Sequence, residues 1–262
     1  MNITLEKIHL PLKVNWKLSR NETTFKENFI VTLESEGRKF RSEIAPNIRY
    51  GETHESIVKQ FESWKSSTDY SLESLGSGLH HSLRFGLESV LLAEKAHKTD
   101  KSLADYLGLK PWVKKETSFS MPIIPVGEIK EYIEKVNRFQ HLKIKVNQET
   151  ATEMLLEVAK HSNARLRVDG NEAWKDFDEF MRFQEKVSHL NISMMEQPFP
   201  SSCVDEYKRL KPLSKFELLA DESIEDVGDF NELSQQFHSI NIKLMKTGSL
   251  IRAKDFIDQA KT

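Results

Sequence analysis

The chain has 262 residues, 38% of them hydrophobic and 30% charged, with a formal net charge of −2. That length allows one large or two smaller domains, and the near-neutral charge gives no footprint for nucleic acid or an anionic membrane as partner. No apolar run approaches the roughly 18 residues of a membrane span, and the single cysteine, Cys203, excludes an intrachain disulfide and a thiolate metal cluster.

The first segment, Met1–Leu12, alternates apolar and polar positions like a strand and lacks the basic-then-apolar order of a secretory signal. A cytoplasmic setting is therefore expected. Trp16–Lys26 is polar and reads as a loop, Asn28–Glu36 alternates again, and Glu36-Gly37-Arg38 reads as a turn between strands. From about Thr53 the period becomes helical. Leu83, Leu87, Val90 and Leu91 fall at i, i+4, i+7 and i+8, the buried stripe of an amphipathic helix. Gly108-Leu109-Lys110-Pro111 ends this half, which places a boundary between residues 1–111 and 112–262.

The second half alternates strand and helix. Strands are expected at Glu116–Ile123, Leu142–Val146, Arg165–Asp169, Ser193–Glu196, Phe216–Asp221 and Ser239–Lys243. Helices are expected at Gly127–Phe139, Glu149–Lys160, from Asp176 onward, and at Leu250–Lys261; Asp176 and Glu179 resemble a capping box. This alternation predicts an α/β architecture with a parallel sheet and right-handed crossovers. Six units are present where a closed barrel needs eight, and two more would occupy roughly 50 residues at this period. The expectation is either a (β/α) barrel whose last two units are missing from this chain or an open six-stranded sheet with unpaired edges.

Charged residues recur at the ends of these strands. Lys145, Asp169, Glu196, Asp221 and Lys243 follow one another at steps of 24, 27, 25 and 22 residues, each close to one strand plus one helix. Successive strand ends are where a (β/α) barrel assembles its active site. Asp169, Glu196 and Asp221 make an all-oxygen donor set, suited to Mg²⁺ or Mn²⁺ rather than Zn²⁺. Lys143 and Lys145 alternate with Leu142, Ile144 and Val146, so both point to the barrel interior if the apolar residues meet the helix layer. Interior lysines require anionic partners or a function. In an eight-stranded barrel the strands carrying Lys145 and Lys243 are diametrically opposed. Two bases on opposite sides of one carbon suit racemisation or epimerisation.

Other candidates carry less. Asn171 lies two residues after Asp169 and could orient the ligand shell; a plain turn role is equally open. Glu222, beside Asp221, is expected to face away from the metal. His80-His81 reads as a surface pair, and Cys203 as inert. Lys246 in Lys246-Thr247-Gly248-Ser249 lacks the spacing of a phosphate loop and receives no role.

Five segments together resemble the enolase superfamily, specifically its muconate-lactonising subgroup: Leu142-Lys143-Ile144-Lys145-Val146, Arg167-Val168-Asp169-Gly170-Asn171, Met195-Glu196-Gln197-Pro198-Phe199, Ala220-Asp221-Glu222-Ser223 and Asn241-Ile242-Lys243-Leu244-Met245-Lys246-Thr247-Gly248. The wording is most similar to that of the dipeptide (L-Ala-D/L-Glu) epimerases, as is Ala45-Pro46-Asn47-Ile48-Arg49-Tyr50-Gly51-Glu52-Thr53. The resemblance implies an N-terminal α+β capping domain over an enolase-type barrel. It also implies Mg²⁺ on Asp169, Glu196 and Asp221, with Lys145 and Lys243 as bases and Lys143 beside the substrate carboxylate. An enediolate would form when the α-proton of a small carboxylate substrate, such as the dipeptide L-Ala-L/D-Glu, is removed. By the same likeness Arg20 would bind the substrate's distal carboxylate. Ser249 stands where a second glycine is usual, a change expected to leave the bases untouched. The family's Asp-x-Asp on the eighth strand falls beyond this sequence. Three alternatives stay open: o-succinylbenzoate synthase, which is a dehydratase, N-acylamino acid racemisation, and an inactive fragment acting as a binding module. Homo-oligomerisation is also open.

Overall fold

The computed structural model describes residues 1–18, 21–66, 70–111 and 113–261. Strands β1 (Asn2–Leu18), β2 (Asn21–Ser35) and β3 (Arg38–Ile44) form an antiparallel sheet in that order. Glu36 and Gly37 both take positive φ, 51° and 75°, as a tight two-residue hairpin requires. The expected loop at Trp16–Lys26 is instead part of a long hairpin. Trp16 pairs with Thr23 and Leu18 with Asn21, after a register shift between Pro11 and Trp16. Among the described residues β3 pairs only with Phe29–Ser35, so before Phe29 the ribbon is two-stranded. Leu10, Leu12, Val14, Trp16 and Leu18 keep the period-2 alternation of β1 running into this hairpin, a signal outweighed in the loop reading by the polar run Ser19–Thr24.

Helix α1 (His54–Lys65) starts at Thr53, which exchanges hydrogen bonds with Ser56: the Ser56 N–H donates to Thr53 Oγ1 (3.1 Å) and the Thr53 N–H to Ser56 Oγ (2.9 Å). Helix α2 (His81–Lys98) buries Leu83, Leu87, Val90 and Leu91 against the sheet and α1, as the sequence stripe predicts. It packs tightly on the sheet at Gly86, where an added Cβ would lie 2.3 Å from Ile44 Cγ1. A short helix, α3 (Leu103–Tyr106), follows.

The rest of the chain alternates as expected. It runs β4 (Phe119–Met121), α4 (Ile129–Val136), β5 (His141–Lys145), α5 (Ala151–His161), β6 (Arg165–Asp169), α6 (Phe177–Val187), β7 (Ile192–Glu196), α7 (Val204–Leu210), β8 (Glu217–Ala220), α8 (Phe230–Gln236), β9 (Ser239–Ile240), α9 (Leu244–Thr247) and α10 (Leu250–Gln259). β4 to β9 form one parallel sheet in sequential order, the winding of a (β/α) barrel. Asp176 caps α6 by accepting the Glu179 N–H at 2.8 Å. Leu142, Ile144, Leu166, Val168, Met195 and Leu218 face the helices in a second hydrophobic cluster, separate from that around α2. The alternate strand positions are thereby left to the opposite face.

Helix α2 also grips the α9–α10 junction. Arg84 donates from Nε to the Gly248 carbonyl (3.0 Å) and from Nη2 to that of Thr247 (2.9 Å). Glu88 accepts from Ser249 Oγ (2.7 Å) and the Leu250 N–H (2.5 Å). Gly248 has φ 64°, and a Cβ there would meet Arg84 Nη2 at 2.9 Å and His81 Cα at 3.0 Å, so both conformation and space demand glycine. Ser249 acquires a purpose here, since it also caps α10 by accepting the Arg252 N–H. The expected surface role of the histidine pair does not hold for His81. It is half-buried against Gly248, with Nε2 3.4 Å from Asp226 Oδ2. Among the described residues no helix is long and apolar enough to cross a membrane.

Gly86 tests the α2–sheet packing. Alanine normally stabilises a helix interior by about 1 kcal/mol over glycine. Here Gly86→Ala should destabilise the protein by about 1–3 kcal/mol through overpacking, read as a lower urea midpoint. The penalty should shrink or reverse sign when measured in an Ile44→Ala background. An unchanged midpoint for Gly86→Ala alone would contradict the packing.

Candidate active site

Parallel pairing aligns the key residues like marks on a ruler. Lys145 on β5 is opposite Asp169 on β6, and Asp169 is opposite Glu196 on β7. Leu219 on β8 pairs with Glu196, so Asp221, two residues on, shares its face. All three acids lie at the C-terminal strand ends and are almost fully buried, with 1%, 3% and 1% exposure for Asp169, Glu196 and Asp221.

Lysines surround them. The Lys143 ammonium bridges Asp169 Oδ2 (2.9 Å) and Glu196 Oε2 (2.6 Å). Lys145 donates to Asp169 Oδ2 (2.8 Å) and Asn171 Oδ1 (2.6 Å). Lys243 contacts Asp221 Oδ2. Its expected place on the sixth strand is corrected, because β9 ends at Ile240 and Lys243 is the extended residue leading into α9. A short polar segment there breaks from the ladder once Asn241 has donated its N–H to Ala220. Among the described residues no three acidic, histidine or cysteine side chains close into a metal cage; ammonium groups stand between the carboxylates instead.

The charges answer one another. Burial raises the Asp169 carboxyl, but Lys143 and Lys145 more than offset it and leave the group below its ordinary value. Burial and the Asp169 charge push Glu196 up, only partly opposed by Lys143. Burial works against Asp221 as well, yet Lys243 and Lys246 hold it down at about 2. Burial alone would lower Lys143; Asp169 and Glu196 raise it well above the ordinary range, so it stays an ammonium.

Four residues without a sequence-assigned role belong to this site. Lys246 is buried and donates to Asp221 Oδ1 (2.7 Å) and to the Asp221 carbonyl. Asn241 donates from Nδ2 to Glu196 Oε1 (3.0 Å). Gln197, at φ 38°, accepts the N–H groups of Asp221 (2.9 Å) and Ser223 (3.2 Å) on Oε1 and donates to Tyr207 Oη (2.8 Å). Arg49, from the turn Ile48–Tyr50 of the N-terminal part, reaches Glu172 Oε2 (2.6 Å) and Glu222 Oε1 (3.2 Å). All four lie inside segments that carry the family resemblance, and that was the signal available for them; nothing in those segments said which acid each would meet.

The remaining expectations divide. Asn171 is in the site, bonded to Lys145, and its N–H donates to Asp169 Oδ1 (3.1 Å). Glu222 bonds to Asn171 and Arg49, beside the three acids, drawn by a guanidinium the sequence did not place. Burial, with Asp221 and Asp169 nearby, raises its carboxyl. Arg20 lies outside the described residues. Gly170 lets the strand ends approach, since a Cβ there would be 3.0 Å from both Pro198 Cα and Trp174 Cζ3.

Removing one partner of a buried ion pair costs about 3–5 kcal/mol. Lys246→Met should therefore destabilise the protein by about that amount in urea titrations. Asp221, held at about 2 against an ordinary 3.8, stabilises the fold above the higher value, and that contribution disappears as pH falls through the lower one. Losing Lys246 raises the folded-state value, so the acid-side loss should begin at higher pH. A variant with wild-type stability and an unmoved acid limb would show that Lys246 does not hold Asp221.

Residues 128–262 match the family described as enolase C-terminal domain-like. The L-Ala-D/L-amino acid epimerase of Flavobacterium johnsoniae is 26% identical over 276 residues, an overlap covering all of this chain and 80% of that protein. A solved L-Ala-D/L-Glu epimerase superposes with TM-score 0.83 at 25% identity, over 99% of this chain and 81% of its own. The dipeptide epimerase of Cytophaga hutchinsonii, complexed with Mg and the dipeptide D-Ala-L-Val, shares the fold with TM-score 0.87 at 20% identity, over 99% and 76%. With matching sequence across half its length and the strand-end charges in register, this chain belongs to the enolase C-terminal domain-like family.

Proposed function

We propose that this protein epimerises the α-carbon of a small carboxylate substrate, a dipeptide such as L-Ala-L/D-Glu, with Mg²⁺ held by Asp169, Glu196 and Asp221. The observation that carries the reading is the register of Lys145, Asp169 and Glu196 across three neighbouring strands, with Lys243 reaching Asp221 from the far side. The named activities of the similar proteins support the reaction class. The division into a cap, 1–111, and a barrel part, 112–262, belongs to the same reading and is supported by the two separate hydrophobic clusters.

The donor set suits the ion. Three buried carboxylates at neighbouring strand ends offer only oxygen, the preference of a hard divalent cation, and the Lys143 ammonium already bridging two of them marks a demand for positive charge. When bound, Mg²⁺ would stabilise negative charge developing on the substrate carboxylate. The chain's own groups handle the proton. A neutral Lys145 Nζ takes the α-proton from one face as the C–H bond breaks. The Lys243 ammonium returns a proton to the other face, inverting the carbon; the reverse direction exchanges their roles. Lys143 keeps its charge beside Asp169 and Glu196 and favours the anion. Asn171 fixes the height of Lys145, while Lys246 and Gln197 fix Asp221.

Two measurements test this. Asp169→Asn, Glu196→Gln and Asp221→Asn should each weaken Mg²⁺ binding in calorimetry, and unchanged affinity in all three would remove the ligand assignment. In D₂O an Ala-Glu dipeptide should exchange its α-proton during turnover. Lys145→Ala should lower exchange on one isomer by about 10²–10⁴-fold and Lys243→Ala on the other, the range of positioned general bases. Wild-type protein that exchanges no α-proton on any dipeptide in the presence of Mg²⁺ would end the epimerase reading.

A further inference from the structure

The two lysines are held differently. Lys243 contacts Asp221, which it shares with Lys246. Lys145 has a second contact besides its carboxylate, the Asn171 side-chain oxygen at 2.6 Å. Behind Asn171 a chain of contacts leads out of the barrel part. Asn171 Nδ2 donates to Glu222 Oε1 at 3.4 Å, and Arg49 Nη1 donates to the same oxygen at 3.2 Å. Arg49's other arm holds Glu172 Oε2, one residue beyond Asn171, at 2.6 Å. One guanidinium from the N-terminal part therefore ties the loop after β6 that carries Asn171 and Glu172 to the loop after β8 that carries Glu222.

The loop after β6 needs that tie. Asn171 and Glu172 are consecutive non-glycine residues at φ 44° and 65°, conformations that persist only where surroundings over-determine them. The Glu172 N–H donates to the Gln197 carbonyl (2.8 Å), and Glu172 Oε1 accepts the Ser201 N–H (3.0 Å), which fixes the backbone. The amide plane is a separate matter. An Asn side chain presents NH₂ on one side and oxygen on the other. The Glu222 carboxylate, an acceptor, on one side and the Lys145 Nζ–H donor on the other select the orientation in which oxygen faces the lysine. Glu222 Oε2 is buried with no hydrogen-bond partner, so Oε1 and its two donors hold that carboxylate in place. Arg49 is itself preset: the Asn47 side chain accepts its N–H (3.1 Å), and buried Glu52 ties the turn to α2 by accepting the N–H groups of Asn47 and Ser82, both at 3.0 Å.

We propose that Arg49 is a positioning residue that acts through Glu222 and Asn171 on Lys145 and, unlike the contacts of α2 with the α9–α10 junction, leaves Lys243 alone. This rests on the two-base reading above. The prediction is asymmetric in a way that a general structural role is not. Arg49→Ala and Asn171→Ala should each reduce α-proton exchange on the isomer served by Lys145 by about ten- to hundredfold, the scale of a misplaced reacting group. Exchange on the isomer served by Lys243 should stay within about twofold. That second rate is an internal control for folding and for Mg²⁺ binding.

The experiment measures exchange of both isomers of an Ala-Glu dipeptide in D₂O with Mg²⁺, using the full chain. Lys145→Ala and Lys243→Ala first identify which isomer each base serves. Arg49→Ala, Asn171→Ala and their double variant are then compared, with the half-exposed Arg49→Lys as a conservative variant that should show the same one-sided loss in smaller measure. A double variant no worse than Asn171→Ala alone would support a single line of action. Equal losses on both isomers in Arg49→Lys and Arg49→Ala, or fully additive losses in the double variant, would overturn the proposal. If the wild-type protein exchanges neither isomer, the epimerase reading itself fails and takes this one with it, a result distinct from either pattern in the variants.

Discussion

Everything at the strand ends follows from one electrostatic constraint: three carboxylates are buried side by side and cannot all be ionised without cations among them. Register puts Asp169 next to Glu196, and Asp221 follows on the same face. Each is nearly inaccessible to water, so solvent cannot screen their repulsion. The chain answers with four lysines, two from β5, one just before α9 and one within it. The answer is uneven. Asp169 and Asp221 each have two ammonium partners and are held low, whereas Glu196 shares one and is pushed up. A divalent cation would meet the same demand with a single charge centre, which is why the site reads as built for one.

Backbone economy makes the cluster possible. Side chains alternate along a strand, so Leu142, Ile144, Leu166 and Val168 can fill the core against the helices while Lys143, Lys145 and Asp169 occupy the other face. Beyond the strands the loops must turn sharply, and here the chain accepts left-handed conformations at Asn171, Glu172 and Gln197. Gln197 compensates with a set of hydrogen bonds that brings the Asp221 backbone into place. Gly170 admits the Pro198 segment and the Trp174 ring at distances that no side chain would permit.

The N-terminal part is more than a cover. Arg84 and Glu88 on α2 hold the segment that carries Lys243 and Lys246, while Arg49 reaches the loop that carries Asn171. The segment that carries Lys243 and Lys246 and the loop that contacts Lys145 are thus tied to the same small sheet-and-helix unit at two separate points. Gly248 allows one of these approaches and the capped turn around Arg49 allows the other. Rigid attachment of both segments serves a reaction in which reacting atoms must be held to a fraction of an ångström.

The sequence alone determined the strand-helix alternation, the stripe of α2, the strand-end acids and the facing of Lys143 and Lys145. All of these are written in local periodicity, because a strand or helix repeats its buried face at fixed spacing. The family motifs are equally local and were legible for the same reason. Tertiary structure decided the rest. The alternation of Leu12, Val14, Trp16 and Leu18 marks a strand but does not say that it pairs back on Asn21–Thr23 as a hairpin. Lys243 lies beyond a strand that ends early, and Glu222 bonds to Arg49, 173 positions away. Lys246, Asn241 and Gln197 acquire their places from acids on other strands. Periodicity reports which face of an element is covered. It does not report which partner covers it, since a hydrogen bond between distant residues depends on where two chains of elements meet and not on either one alone.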